Sequence, residues 1–313
     1  MRRLPIGYRP VAVLAALAAP LALVGCGSES SNGQDKIRET GAAAKATADG
    51  RSTQRQEVSA KDFDPSRFGD SANIDNTWMP LKPGTQWVFR GHTRDGKKRV
   101  RHRVIFTVTD LTKVIGGVRN LVLWDRDYSA GGLVEAELAF FAQDKDGHVW
   151  HMGEYPEEYE EGKIVKTPAW IHGAQRARAG VAMKAKPRLG TPSYAQGFGP
   201  KVQWFDRGKV YRKGLRTCVP AGCYEDVLVI DEFARDDPGA HQLKYYAPGV
   251  GNVRVGWRGD DPDKEVLVLV KVRHLGAAAL EKVRAKALAF EERAYRLAKG
   301  AYGHTPPVEP IPE

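Results

Sequence analysis

The 313-residue chain carries 48 Lys and Arg against 38 Asp and Glu, a formal charge of +10, with 42% hydrophobic residues and 9% aromatics. That apolar content supports a sizeable core and excludes a fully disordered chain; beyond the N-terminus no apolar run is long enough for a polytopic membrane protein. Three cysteines are too few for a cysteine zinc ribbon or an iron–sulfur centre.

Met1-Arg2-Arg3 is a positive n-region, and residues 11–23 are an apolar h-region broken only by Pro20, which predicts a secretory signal peptide over residues 1–25. The sequence Leu23-Val24-Gly25-Cys26 follows and resembles the bacterial lipobox, Leu-small-Gly/Ala-Cys. The resemblance implies cleavage before Cys26 and diacylation of its nucleophilic thiol. Two or three acyl chains, at ~0.8 kcal/mol per buried CH₂, hold a protein on a bilayer essentially irreversibly. The chain is thus expected to be exported, extracytoplasmic and lipid-anchored to the bacterial membrane. Residues 27–60 are Ser, Gly, Ala, Gln and charge, with Ile37 and Val58 as the branched aliphatics, so 26–62 reads as a lipidated, flexible tether.

From Trp78 onward the hydrophobic period is two. Residues 86–90 precede Asp95-Gly96, after which Val100, His102, Val104, Phe106 and Val108 alternate with Arg101, Arg103, Ile105 and Thr107, a hairpin signature. Gly116-Gly117, Gly131-Gly132 and Asp146-Gly147 introduce further runs at 120–124, 133–141 and 149–152, and later runs occupy 223–233, 242–247, 252–257 and 265–272. This predicts a mainly β fold: an antiparallel curved sheet or β-barrel-like domain, lipocalin- or lipoprotein-carrier-like, over residues 63–300. Residues 155–200, rich in Pro, Gly, Ala and Lys with weak periodicity, read as an insertion able to act as a lid. Cys218 and Cys223 enclose Val-Pro-Ala-Gly, whose bend and compartment predict a small disulfide at a loop tip. Leu280, Val283, Ala287, Phe290, Ala294 and Leu297 recur at helical spacing between Gly276 and Gly300, predicting a C-terminal α-helix over 277–299 that docks across the sheet. Residues 301–313 read as a disordered Pro-rich tail.

Three stretches, NTWMPLKPGTQW (76–87), AQDKDGHVW (142–150) and YYAPGVG (245–251), together resemble a group of uncharacterised, actinobacterial-type secreted proteins and lipoproteins. The resemblance covers most of residues 65–257 and implies the fold and the location. It transfers no catalytic residue, and His151-Met152 stands where the group carries Tyr-Phe.

Asp144 and Asp146 lack the further ligands of a calcium loop and read as a hairpin turn. His148 and His151 fall on opposite faces of a strand, so they are not an adjacent ligand pair, and neither metal nor cofactor is expected. Glu154, Glu157, Glu158, Glu160 and Glu161 form an acidic loop that could furnish a carboxylate pair for an envelope hydrolase, although no hydrolase motif accompanies it. The basic excess is spread along the chain and suits anionic lipid head groups or wall polymers, not nucleic acid. The expected function is non-catalytic binding of an apolar or amphipathic ligand, a lipid or envelope component, on the concave face, with Trp124, Phe140, Trp150, His151 and Trp170 as candidate contacts. The alternatives are the hydrolase and a structural or adhesive protein acting through its terminal helix.

Overall fold

The computed structural model describes residues 59–311; the signal peptide, Cys26 and nearly all of the tether lie outside the described residues. The hairpins predicted from Gly-Gly and Asp-Gly pairs form in order: β1 (Thr85–Asp95), β2 (Lys98–Ile115), β3 (Val118–Ser129), β4 (Gly132–Gln143) and β5 (Val149–Glu160). Short strands β6 (Lys163–Lys166), β7 (Trp170–Ile171), β8 (Arg178–Met183), β9 (Tyr194–Ala195) and β10 (Gly197–Phe198) follow. The second long series is β11 (Asp206–Val219), β12 (Gly222–Ala234), β13 (Asp237–Ala247), β14 (Gly251–Gly259) and β15 (Val266–His274), before helices α1 (Ala277–Leu297) and α2 (Lys299–Tyr302) and strand β16 (Glu309–Pro310). Among the described residues no helix is long and apolar enough to cross a membrane.

All strands join one antiparallel sheet, ordered β10-β8-β5-β4-β3-β2-β1-β15-β14-β13-β12-β11-β9, with β6 and β7 added to β5 and β16 to β2. The ladder is open, yet its two margins are carried by one short segment. Residues 194–195 pair with β11, residues 197–198 pair with β8, and only Gln196 separates them. The Gln196 backbone N–H donates to the Asp206 carbonyl at 2.9 Å and its side-chain amide donates to Glu232 Oε1 at 2.9 Å. Gly180 of β8 sits where a Cβ would collide with the backbone of residues 195–197, so this crossing requires glycine. The 155–200 region is therefore the closing margin of the sheet, and not the irregular lid expected from its composition.

The curl gives the sheet an inner and an outer face, each with its own core. The outer core joins Val122, Leu138, Met152 and Tyr155 to Ala287, Phe290 and Ala294 of α1. The inner core contains Trp87, Phe89, Val104, Leu123, Phe141, Ile230, Val255 and Leu267. The predicted helical stripe thus packs on the sheet, and the helix ends two residues short of the expected position. Residues 301–311 are not the disordered tail expected from their prolines. Tyr302 is fully buried, Val308 is buried, and Glu309 and Pro310 extend β2.

One buried ion pair holds this arrangement. Lys113 Nζ donates to Glu291 Oε1 at 2.7 Å, to Tyr295 Oη at 3.0 Å and to the Pro306 carbonyl at 2.6 Å, and lies 4.3 Å from the Tyr302 ring centroid. The Val308 backbone N–H donates to both carboxylate oxygens of Glu291. Sheet, helix and C-terminal strap therefore meet at one buried ammonium. Removing one partner of a buried pair leaves an uncompensated charge and costs about 3–5 kcal/mol. Glu291→Ala is expected to lose that much in urea unfolding, and Lys113→Met combined with Glu291→Leu to recover most of it.

Candidate functional site

The inner face encloses a cavity of about 170 Å³. Alternation along each strand decides which side chains reach it. Trp87 and Phe89 of β1, Phe106 of β2, Leu123 of β3 and Phe141 of β4 supply apolar lining. Asp125 of β3, Glu137 of β4, Glu154 of β5, Glu232 of β12 and Lys244 of β13 supply charged lining, with His151, Gln196 and Asp206. Register brings Asp125 directly opposite Phe106 on one side and Glu137 on the other, and Leu123 opposite Ala139, which in turn faces Glu154. Pro80 and Trp87 also line a wider groove of about 760 Å³, together with Ala221, Val250, Val272 and His274. The Trp87 indole donates to the Val250 carbonyl at 2.9 Å and is fixed between the two spaces.

A bulge in β5 places Glu154. Phe141 pairs with His151 and Phe140 with Gly153, so Met152 is the extra residue. Gly153 has φ 144°, and a Cβ there would strike the backbone of β7. Strict alternation would put residues 151 and 154 on opposite faces; the bulge puts both in the cavity.

Burial dominates the electrostatics. It raises the Asp125, Glu137 and Glu154 carboxyls well above the usual range; Asp127 and Asp125 raise Asp125 and Glu137 further. Glu154 accepts from the Trp170 indole and lies 3.4 Å from His151 Nε2. His151 stacks on Phe141 at 4.8 Å, and burial lowers its pKa to about 3, so it is neutral. Lys244 Nζ lies 2.6 Å from Glu232 Oε2, and this pairing keeps it charged although burial opposes it. Farther along the inner face His102 Nε2 lies 2.6 Å from Asp127 Oδ1 and 3.6 Å from Glu265 Oε1. Burial lifts Glu265 to about 8 and lowers His102. Among the described residues no group of three or more His, Cys, Asp or Glu is arranged to hold a metal ion.

The sequence-predicted contacts divide between the faces. Trp124, Phe140 and Trp150 are buried in the outer core, with Phe140 6.2 Å from Tyr302 and Trp150 5.6 Å from Phe63. They serve packing, because helix and N-terminal segment cover that side. His151 lines the cavity, and Trp170 stands behind its wall, stacked 4.8 Å from Trp204. The acidic run lies on β5 and not in a loop, and its faces separate it. Glu154 points inward, whereas Glu157 accepts from Arg293 of α1 at 2.8 and 2.9 Å and from Tyr155. Asp144 accepts from the Asp146 and His148 backbone N–H groups and from the Trp150 indole, so it organises its own turn. Cys218 and Cys223 form a disulfide at the tip of the β11–β12 hairpin.

Sequence reasoning missed Trp87, Phe89, Phe106, Asp125, Glu137, Glu232 and Lys244. One signal was present: the first and third motifs, 76–87 and 245–251, both supply lining residues, including Met79, Trp87, Tyr246 and Gly251. Asn76 joins the first motif to the second, its side-chain amide donating to the Gly147 carbonyl at 2.8 Å while its Oδ1 accepts from the Trp78 backbone.

The raised carboxyls fix a pH dependence. Unfolded, Glu265 titrates near 4.5; folded, it keeps its proton to about 8, so its contribution to stability is lost as pH rises through that window. Asp125, Asp127, Glu137 and Glu154 act in the same sense. His102 and His151 are depressed, so their contribution is present above 6.5 and lost as pH falls below it. Between pH 6.5 and 8 the carboxyls act alone. Urea unfolding is expected to show stability falling across that interval, by up to ~1.4 kcal/mol per pH unit for each titrating group, with a shallower slope in Glu265→Gln.

No known family model matches the chain, and no curated protein matches it significantly. Two solved structures are similar to it: a protein from Bacteroides fragilis, named as exported and with a YmcC-like fold, and one from Parabacteroides distasonis, named as a lipoprotein. The first is 13% identical with a TM-score of 0.37, covering 63% of this chain and 99% of that one. The second is 13% identical with a TM-score of 0.36, covering 64% and 100%.

Proposed function

We propose that the protein is an exported lipoprotein, anchored through Cys26 and of the secreted group its three motifs resemble, that binds an amphipathic ligand on the inner face of its sheet without catalysis. The observation that carries the binding reading is a cavity whose lining combines aromatic side chains with a few charged groups. Apolar concave sites with a few convergent polar groups are the usual form of small-ligand sites. The wider groove beyond Trp87 gives a chain longer than the cavity somewhere to continue. For the adhesive alternative, burial of Ala287, Phe290 and Ala294 against the sheet leaves Leu288 and Leu297 as the exposed large apolar residues of α1.

A hydrolase reading draws on Glu137 and Glu154 facing the same cavity with raised pKa values. Turnover of a glycan or ester substrate that disappears in both Glu137→Gln and Glu154→Gln would establish it in place of simple binding.

Mass spectrometry of an organic extract of the purified protein is expected to find a stoichiometric amphiphile, reduced several-fold in Phe141→Asp, which places a charge in the apolar lining. A folded protein free of ligand after expression in its natural envelope overturns the binding reading. Cys26→Ser is expected to move the protein from the membrane fraction to the soluble one.

A further inference from the structure

Resting on that reading of the cavity, we infer that the ligand's head is a cation: the carboxyl groups of the lining take the ammonium of an amphipathic amine whose apolar body lies against Phe89, Phe106 and Phe141. The charge balance of the lining carries the inference. Four carboxyl groups besides Asp206, those of Asp125, Glu137, Glu154 and Glu232, face a cavity in which Lys244 is the one lining Lys or Arg. Lys244 is paired with Glu232, and the other basic side chain, His151, is neutral. The lining thus carries more potential negative charge than its own cation balances.

Two polar atoms of the lining, on different elements, lack hydrogen-bond partners. Asp125 is 6% exposed and His151 7% exposed, yet Asp125 Oδ1 and His151 Nε2 have no hydrogen bond. A buried polar atom left unsatisfied costs roughly 1–3 kcal/mol, which a ligand group bonded to it would recover. An ammonium offers three donors, which suits the acceptor oxygens of a carboxyl-lined recess; a carboxylate ligand offers none, and an alcohol offers one. Charge-assisted hydrogen bonds in such a dry site are about twice as strong as neutral ones.

Protonation makes such a carboxyl-rich lining tolerable. Burial and mutual repulsion hold Asp125 and Glu137 protonated to unusually high pH, so the free protein avoids a cluster of bare charges. An incoming ammonium reverses that balance, favours ionisation and expels a proton. Binding is therefore linked to proton release. The cavity, about 170 Å³, is close to the ~150 Å³ of an apolar cavity known to admit benzene, which limits the enclosed body to a ring or a short chain. A longer chain extends past Trp87 into the outer groove.

The test is calorimetric titration of the full-length protein in lipid nanodiscs with n-octylamine, n-octanol and n-octanoate at neutral pH, with empty nanodiscs as reference. Octylamine is expected to bind at least tenfold more tightly than octanol, octanoate to bind most weakly, and the octylamine heat to depend on buffer ionisation enthalpy in the sense of proton release. Asp125→Asn combined with Glu137→Gln is expected to bring octylamine down to the octanol level measured on the same variant, with retained near-ultraviolet circular dichroism showing that the variant is folded. Equal binding of amine and alcohol, or tighter binding of octanoate, overturns the cationic head and leaves the cavity as an amphiphile site. Failure of all three to bind overturns both.

Discussion

A sheet that curls until one segment holds both of its margins encloses its inner face, and every side chain on that face must then be satisfied without bulk water. Much of the rest of the molecule follows from this constraint. The apolar inner positions pack as a core, and the polar ones must be paired, neutralised or left facing a cavity. Lys244 with Glu232 is a pair, and burial keeps His102 and Asp127 neutral beside each other. Glu265 is held protonated to about 8, with Gln242 donating to it at 2.7 Å. Asp125, Glu137 and Glu154 face the cavity. The closure itself depends on close backbone approach at Gly180 and on Gln196 reaching Glu232, so the tie that shuts the sheet also helps to set its interior charge.

The outer face is enclosed differently. Helix α1 and the strap that follows it lie over β2 to β5, fixed by Lys113 at the centre, by Arg284 with Asp110 and by Arg293 with Glu157. The central strands therefore bury both surfaces, and β4 and β5 are buried along almost their whole length. Strands of this kind do not alternate cleanly between apolar and polar, since neither side meets water.

That double burial makes the binding surface hard to assign by composition. Aromatic residues occur on both faces of β4; Phe140 belongs to the helix-covered core, while its neighbour Phe141 lines the cavity. The charged residues are the better guide. Three acids, Asp125, Glu137 and Glu154, sit on long apolar strands where a structural core would have no use for them. Segments 76–87 and 245–251, far apart in the chain, meet at the rim through Met79, Trp87 and Tyr246.

The sequence by itself determined the strands, their hairpin order, the disulfide and the terminal helix, because period-two and period-3.6 patterns and Gly-Gly or Asp-Gly turns are local signals that each segment carries alone. Only the tertiary structure decided which face is inside. That choice depends on where α1 docks, on a one-residue bulge that turns Glu154 toward His151, and on a margin formed by two-residue strands too short to leave a period. The order of the last residues was decided in the same way: Val308 and the Pro306 carbonyl find their partners on Glu291 and Lys113, groups that prolines in a tail do not announce. Local chemistry specifies what each segment can become, whereas burial, a property of the assembled chain, specifies which of its side chains face the ligand.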